Sequence, residues 1–299
     1  MKKVLILLLI IISITGCTKQ VKNEKTKIVT TNFPCYDFVR AITKDVDNIE
    51  VDMLVTPGSE IHDYEPTPKD IINIKKSKLF VYTGGESDNW VKKIIKENNN
   101  VKIMDLVDLK KEELVEGMEG EDEEEYDEHV WTSPKNAIKI IDKLKEKIIK
   151  IDNKNKNEYE KNAEEYIKKI KEIGKEIENI VKTSKRKTIV FADRFPFRYF
   201  TDEYGLEYYA AFKGCSESTE ASSKTITFLI KKIKEEKIPV VFHIELSNKK
   251  IAKVISKETN TKILELNSAH NISKKDFEKG ITYVDIMKKN IESLREALN

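Results

Sequence analysis

The chain has 299 residues, with 54 basic and 52 acidic side chains, a formal net charge of +2, 39% hydrophobic residues and 35% charged residues. That length has room for about two domains, each with a real core, and so even a charge balance supplies no basic field for nucleic acid. Three cysteines exclude a disulfide-stapled scaffold or a cysteine-rich zinc domain, and five arginines (Arg40, Arg186, Arg194, Arg198 and Arg295) leave few bidentate phosphate clamps.

The N-terminus reads as an address. Lys2 and Lys3 give a positive start, and Val4 to Ile14 runs apolar with Ser13 as its one polar residue. This is the n-region and h-region of a secretory signal, too short to span a bilayer. Ile14-Thr15-Gly16-Cys17 follows and resembles a bacterial lipobox, in which the cysteine is lipidated and becomes the new N-terminus. Residues 1–16 are thus expected to be removed, leaving 52 basic and 52 acidic side chains. Thr18 to Lys27 is polar and without apolar period, so residues 17–27 read as lipidated Cys17 plus a flexible tether. The expected location is the extracellular face of the cell membrane.

From Lys27 the pattern alternates strand and helix. Strands are expected at Ile28 to Thr31, Ile49 to Val55, Leu79 to Tyr82 and Val101 to Leu106. Helices are expected at Tyr36 to Thr43, Pro68 to Lys76 and Trp90 to Glu97. Such alternation implies a parallel sheet covered on both faces. After Pro134 come Ile138, Ile141, Leu144 and Ile148 at helical spacing. After Asp152-Asn153, Tyr159, Ala163, Tyr166, Ile170, Ile173, Ile177 and Ile180 continue it. Residues 155–182 contain no Pro and one Gly, so they predict a helix ~42 Å long, enough to bridge two lobes. A second series follows Lys187: strands at Thr188 to Ala192, Leu206 to Ala210, Val240 to Ile244 and Lys262 to Leu266, with helices at Thr225 to Glu236, Lys249 to Thr259 and Lys274 to Leu298. The expected fold is α/β: an N-terminal lobe over 28–154, a connecting helix over 155–183 and a C-terminal lobe over 184–299.

All four histidines, His62, His129, His243 and His270, fall at or just beyond a strand's carboxyl end or in a loop entering a helix. Ligands of open α/β sheets bind at these ends, and imidazole suits zinc and other borderline metals. Two facing lobes would therefore form a cleft lined by histidines from both sides. The chain has no HExxH or CxxC spacing to narrow this further.

The segment Val51 to Asp70, containing Pro57-Gly58-Ser59-Glu60-Ile61-His62-Asp63-Tyr64-Glu65-Pro66, resembles the zinc/manganese ABC-transporter substrate-binding protein family. Leu79 to Trp90, with Gly84-Gly85, and Asp127-Glu128-His129-Val130-Trp131-Thr132-Ser133-Pro134 are similar to its next blocks. The resemblance covers nearly the whole mature chain. It implies two α/β lobes bridged by one long helix, a metal site in the interlobe cleft, and His62 and His129 as ligands. The family's third ligand position falls at Arg194, ahead of Phe197-Arg198-Tyr199-Phe200 and Tyr204-Gly205, and a guanidinium has no lone pair to give. The fourth falls near Asn271, beside His270. The expected metal ligands are therefore His62, His129, His270 and Glu245, with His243 or Asp193 as other choices for the fourth.

Three other features bear on function. Eight of the ten residues 119–128 are acidic, which reads as a solvated acidic loop, with a cation-collecting flap as the sharper reading. Cys35 and Cys215 read as small free thiols. Trp131 and Tyr64 are expected to pack beside the site. The resemblance implies a receptor, not an enzyme, and no paired general-base motif argues otherwise. The expected cargo is Zn²⁺, with Mn²⁺ as the alternative, because imidazole-rich sites favour zinc. Affinity is expected to fall as pH drops below about 6.5, since imidazole must be neutral to bind. The expected partners are an ABC transporter permease, the metal ion and the membrane through the lipid anchor, with the protein a monomer. A metal-stabilised surface adhesin is the reading left from another class.

Overall fold

The computed structural model describes residues 25–95, 100–118, 125–214 and 221–299. The leader, Cys17 and most of its tether, residues 119–124 of the acidic run, and Cys215 lie outside them.

Two four-stranded parallel sheets are built with the same topology. The first has the order β2-β1-β3-β4, from β1 (Thr26–Thr30), β2 (Ile49–Met53), β3 (Leu79–Tyr82) and β4 (Asn100–Lys102). The second has the order β6-β5-β7-β8, from β5 (Thr188–Phe195), β6 (Glu207–Lys213), β7 (Val240–His243) and β8 (Lys262–Glu265). In each, the first strand pairs on one side with the second and on the other with the third. The strand order therefore reverses beside β1 and beside β5, and such reversals open a crevice at the strands' carboxyl ends. The register of β5 against β6 shifts between Phe191 and Arg194, and a bulge of this kind re-aims the side chains that follow it.

The helices start where the sequence supplies caps. Asn32 accepts from the Cys35 N–H at the head of α1 (Phe33–Ile42), with Pro34 in its first turn. Thr67 and Asp70 form a capping box on α2 (Pro68–Lys76), and Ser133 caps α3 (Pro134–Ile151). These are the expected physics of side-chain oxygens taking otherwise unpaired first-turn N–H groups. The expected helix at Trp90 to Glu97 reaches beyond the described residues at its end, and its start belongs instead to a 3₁₀ segment, Glu86–Lys93, kinked at Asp88. There the carboxylate of Asp88 turns back to accept from the N–H groups of Thr83 and Gly84, at 2.7 and 3.1 Å.

The long helix α4 (Lys156–Thr183) has 28 residues and buries Tyr159, Ala163, Tyr166, Ile170, Ile173, Ile177 and Ile180. These are the apolar positions whose spacing predicts it. It packs on α1, α3 and the C-terminal helix, so a single core runs from the first sheet through α4 to the second. Smaller clusters cover the opposite face of each sheet.

In the second half, α5 (Arg198–Tyr204), α6 (Ser223–Glu236) and α7 (Lys250–Thr259) are followed by two helices where the sequence predicts one. α8 (Lys274–Glu278) stops before Gly280, at φ +70°, and α9 (Tyr283–Leu298) restarts at a Thr282–Asp285 capping box. Glycine adopts this left-handed conformation without steric cost, so the break is local chemistry that apolar spacing does not show. The head of α9 is tied to the first half. Buried Asp37 on α1 accepts from the Tyr283 N–H at 2.9 Å and from the Tyr166 hydroxyl of α4, and Arg40 reaches the Ile281 carbonyl at 3.1 Å. No helix among the described residues is long and apolar enough to cross a membrane.

Candidate metal centre

His62, Glu128, His129 and His270 bring one donor atom each to a point where all lie within 4.8 Å of one another. Four donors at tetrahedral zinc distances would stand about 3.4 Å apart, so a modest contraction closes the set. His62 sits in the loop after β2, Glu128 and His129 in the segment leading into α3, and His270 in the loop between β8 and α8. The two halves of the fold thus each supply part of it.

The rings meet edge to face. His129 and His270 have centroids 4.7 Å apart at 88°, and His62 and His270 5.4 Å apart at 86°. His129 Nε2 lies 3.1 Å from His270 Nδ1. The other ring nitrogen of His129, Nδ1, is held by the Asp127 carboxylate at 2.8 Å, and the same oxygen accepts the His129 backbone N–H at 2.7 Å. A carboxylate on the far nitrogen of a histidine fixes ring orientation and raises basicity, the usual support of a metal-bound imidazole. Asp127 is itself fixed, since the Tyr199 hydroxyl donates to its carbonyl at 2.9 Å.

Glu128 is fully buried, and its two oxygens accept from the Ser87 hydroxyl at 2.7 Å and the Ser87 N–H at 3.1 Å. It can lie this close only because residue 85 is Gly: a Cβ there would stand 2.1 Å from Glu128 Oε2. His270 Nε2 is buried without a hydrogen-bond partner and faces Glu128 Oε1 at 3.4 Å. An imidazole nitrogen and a carboxylate oxygen thus face each other across a gap that a cation fits. This orphaned buried nitrogen is the direct sign that the donor set suits a metal.

Residues 28–297 match the family model described as ZnuA, zinc-uptake complex component A, periplasmic. The chain belongs to this family. It is 35% identical over 287 residues to the high-affinity zinc uptake system protein ZnuA of Bacillus subtilis, covering 93% of this chain and 89% of that protein. It is 30% identical over 309 residues to the zinc-binding lipoprotein AdcA of Streptococcus pneumoniae, spanning 99% of this chain but 61% of that longer relative. The crystal structure of the Zn(II)-bound ZnuA-like domain of AdcA superposes with a TM-score of 0.76 at 29% identity, covering 92% of this chain and 99% of that one. ZnuA-family proteins are substrate-binding receptors of ABC importers, not enzymes.

Of the residues singled out from sequence, the structure brings His62, His129 and His270 together and leaves Glu245 out of the cluster. Glu245 is buried beyond the end of β7, where it accepts from Ser268 N–H (2.8 Å), Ser268 hydroxyl (2.7 Å), His270 N–H (3.1 Å) and Asn271 N–H (3.1 Å). Its lone pairs are spent on the loop that carries His270, so it shapes that loop. Ala269 beside it takes φ +60°, a left-handed conformation uncommon for a side chain with a Cβ, which the Glu245 bonds on either side help to hold. His243 is also outside the cluster, with its Nδ1–H donating to the Ile244 carbonyl at 2.8 Å, and so is Asp193. Arg194 instead pairs with Glu60 at 2.7 Å.

Trp131 packs on the site as expected, 5.6 Å from the His129 ring and 5.0 Å from His270, and its indole N–H donates to the Ser268 carbonyl at 2.8 Å. Tyr64 packs on Trp90 instead, at 5.8 Å. Cys35 is buried within α1, and burial followed by nearby Asp88 pushes its thiol well above the usual range, which keeps it unreactive. Glu128 and Asp127 escape the sequence reading because they lie inside the acidic run. The one available signal is their adjacency to His129.

The electrostatics divide the imidazoles. Burial, with His129 and Arg194 nearby, pushes His62 down to about 4. Burial first, then His129, holds His270 well below the ordinary histidine range. Burial also opposes charge on His129, but the Asp127 carboxylate outweighs it and raises the ring. Burial raises Glu128 as well, and Asp88 rises to about 7 through burial and then the Glu128 charge.

Two outcomes are expected from this arrangement. Glu245→Gln puts an amide donor among four donors. It is expected to cost about 1–3 kcal/mol of stability and about ten-fold in metal affinity through the His270 loop, read by thermal denaturation and calorimetry. Wild-type affinity would show that the loop holds itself. The second concerns pH. A raised pKa means the metal must displace a proton, so affinity is lost as pH falls through it. His62, pushed down to about 4, and His270, held well below the ordinary histidine range, stay neutral and impose no such loss near neutral pH. Only His129, joined by Glu128, has a raised pKa, so these two compete with protons first as pH falls through neutrality and below. The logarithm of zinc affinity should therefore fall by one to two units per pH unit there. A slope of three would mean that all three imidazoles titrate in that range.

Proposed function

We propose that this protein captures Zn²⁺ with His62, His129, His270 and Glu128 and delivers it to an ABC transporter permease. The observation that carries this reading is the cluster of three imidazoles and one carboxylate, all buried but the half-buried His62, contributed by loops of both halves, with His270 Nε2 left unpartnered. Three nitrogen donors and one oxygen complete a tetrahedral zinc shell. Manganese prefers more oxygen ligands and higher coordination. Four protein donors also leave no coordination position for an activated water, which suits carriage rather than chemistry. Because the donors come from both halves, metal binding draws the lobes together, and closure around cargo is a standard repertoire of such receptors.

In this reading the chain divides into a signal peptide over 1–16, lipidated Cys17 with its tether to residue 27, an N-terminal lobe over 28–154, a connecting helix over 155–183 and a C-terminal lobe over 184–299. The receptor works as a monomer on the outer face of the membrane, held by acyl chains on Cys17. The lipobox-like Ile14 to Cys17 supports the anchor, as does the description of AdcA, the pneumococcal relative, as a lipoprotein.

Titration of metal-stripped protein with Zn²⁺ and Mn²⁺ by calorimetry tests the reading. One zinc per chain in the nanomolar range, with far weaker manganese binding, is expected. His62→Ala, His129→Ala and His270→Ala should each weaken zinc by on the order of 100-fold, and Glu128→Gln should weaken it while Glu245 remains wild type. Manganese binding as tight as zinc would favour the manganese receptor, and full affinity in Glu128→Gln would remove Glu128 from the ligands.

A further inference from the structure

Arg194 lies just beyond the register shift in β5, on the C-terminal half. Its guanidinium meets Glu60 Oε2 of the N-terminal half at 2.7 Å, with the two side chains 14% and 28% exposed. The other Glu60 oxygen accepts the Ile61 N–H at 3.0 Å and stands 3.5 Å from the Asn271 amide nitrogen. Asn271 in turn accepts the Ile61 N–H at 3.2 Å, and the Ile272 carbonyl accepts from Gly58 N–H at 2.7 Å. The short segment 58–61 is thus held by two separate pieces of the opposite half. The next residue along is His62, whose ring lies edge-on to His270, and the residue before Asn271 is His270 itself. A planar guanidinium on a carboxylate is the most geometrically specific ion pair available, and here it is partly shielded from solvent.

We infer that Arg194 and Glu60 form an interlobe clasp that positions His62 against His270 and slows the release of bound zinc. This rests on the zinc-receptor reading. Neither residue is a ligand: the guanidinium has no lone pair, and Glu60 is engaged by Arg194. The pair is close to neutral as a unit, so it holds the two loops without repelling a cation. Removing Arg194 alone would expose a free carboxylate next to the site and mix attraction for the metal with loss of the clasp. The informative change removes both charges together.

The experiment compares wild type with the double variant E60Q/R194M, which keeps net charge constant, and with R194K, which keeps the charge but not the planar fork. Zinc release is followed by stopped-flow mixing with excess chelator, interlobe opening by small-angle scattering of the metal-free protein, and integrity of the fold by thermal melting. The double variant is expected to release zinc about ten-fold faster, to have a larger metal-free radius of gyration and to melt near the wild-type temperature. R194K is expected to stay within about three-fold of wild type in release. A double variant that releases zinc at the wild-type rate overturns the clasp whatever its radius. If the wild-type protein binds no zinc, the receptor reading falls by itself. The metal-free radius then decides the clasp, and an unchanged value overturns it.

Discussion

Three imidazoles and a carboxylate within 4.8 Å of one another, all buried but the half-buried His62, have exchanged much of their water for each other's company, which is costly for polar groups with unmet lone pairs. A divalent cation would satisfy all four at once. Much of the surrounding structure maintains this arrangement. Asp127 orients His129, Ser87 and the side-chain-free position at Gly85 seat Glu128, and Glu245 gathers the N–H groups of the loop that presents His270. Two of the supporting groups, Asp127 and Glu245, are carboxylates, so the neighbourhood is also electrostatically prepared for a cation.

The same contacts join the two halves. Trp131 donates across to Ser268 and accepts, through its carbonyl, the hydroxyl of Tyr283. Asp37 links α1, α4 and α9. Around α4 the apolar core is continuous from one sheet to the other, so the base of the molecule is fixed by packing while the mouth is joined by polar contacts. Polar contacts can be exchanged for those to a ligand more cheaply than a close-packed core can be remade. That contrast is what a receptor opening about its connecting helix requires.

The sequence shows the architecture well because its signals are local and redundant. Strand–helix alternation, proline and threonine caps, and the seven apolar positions on α4 all state the same fold. The final helix misreads because apolar spacing continues across Gly280, whose positive φ ends one helix before Thr282 starts the next. At the site, the rule that ligands gather at strand carboxyl ends selects the loops and the three histidines that the structure brings together. It cannot tell a side chain that enters the cleft from one that braces a loop. Glu245 has the right position and chemistry but spends its oxygens on backbone N–H groups. Glu128 looks like one more acid among eight, yet it is wholly buried. Arg194 reads from sequence as a lost ligand, and its pairing with a carboxylate from the other half is visible only in three dimensions.

The central claim is the identity of the atoms that hold the metal. X-ray absorption fine structure at the zinc edge, recorded on protein loaded with one zinc per chain, reads that shell directly. The expected result is three nitrogen donors with imidazole outer-shell scattering and one oxygen donor, at about 2.0–2.2 Å, with the oxygen contribution altered in Glu128→Gln. A shell made mainly of oxygen at longer distance, or one containing sulfur, would contradict it.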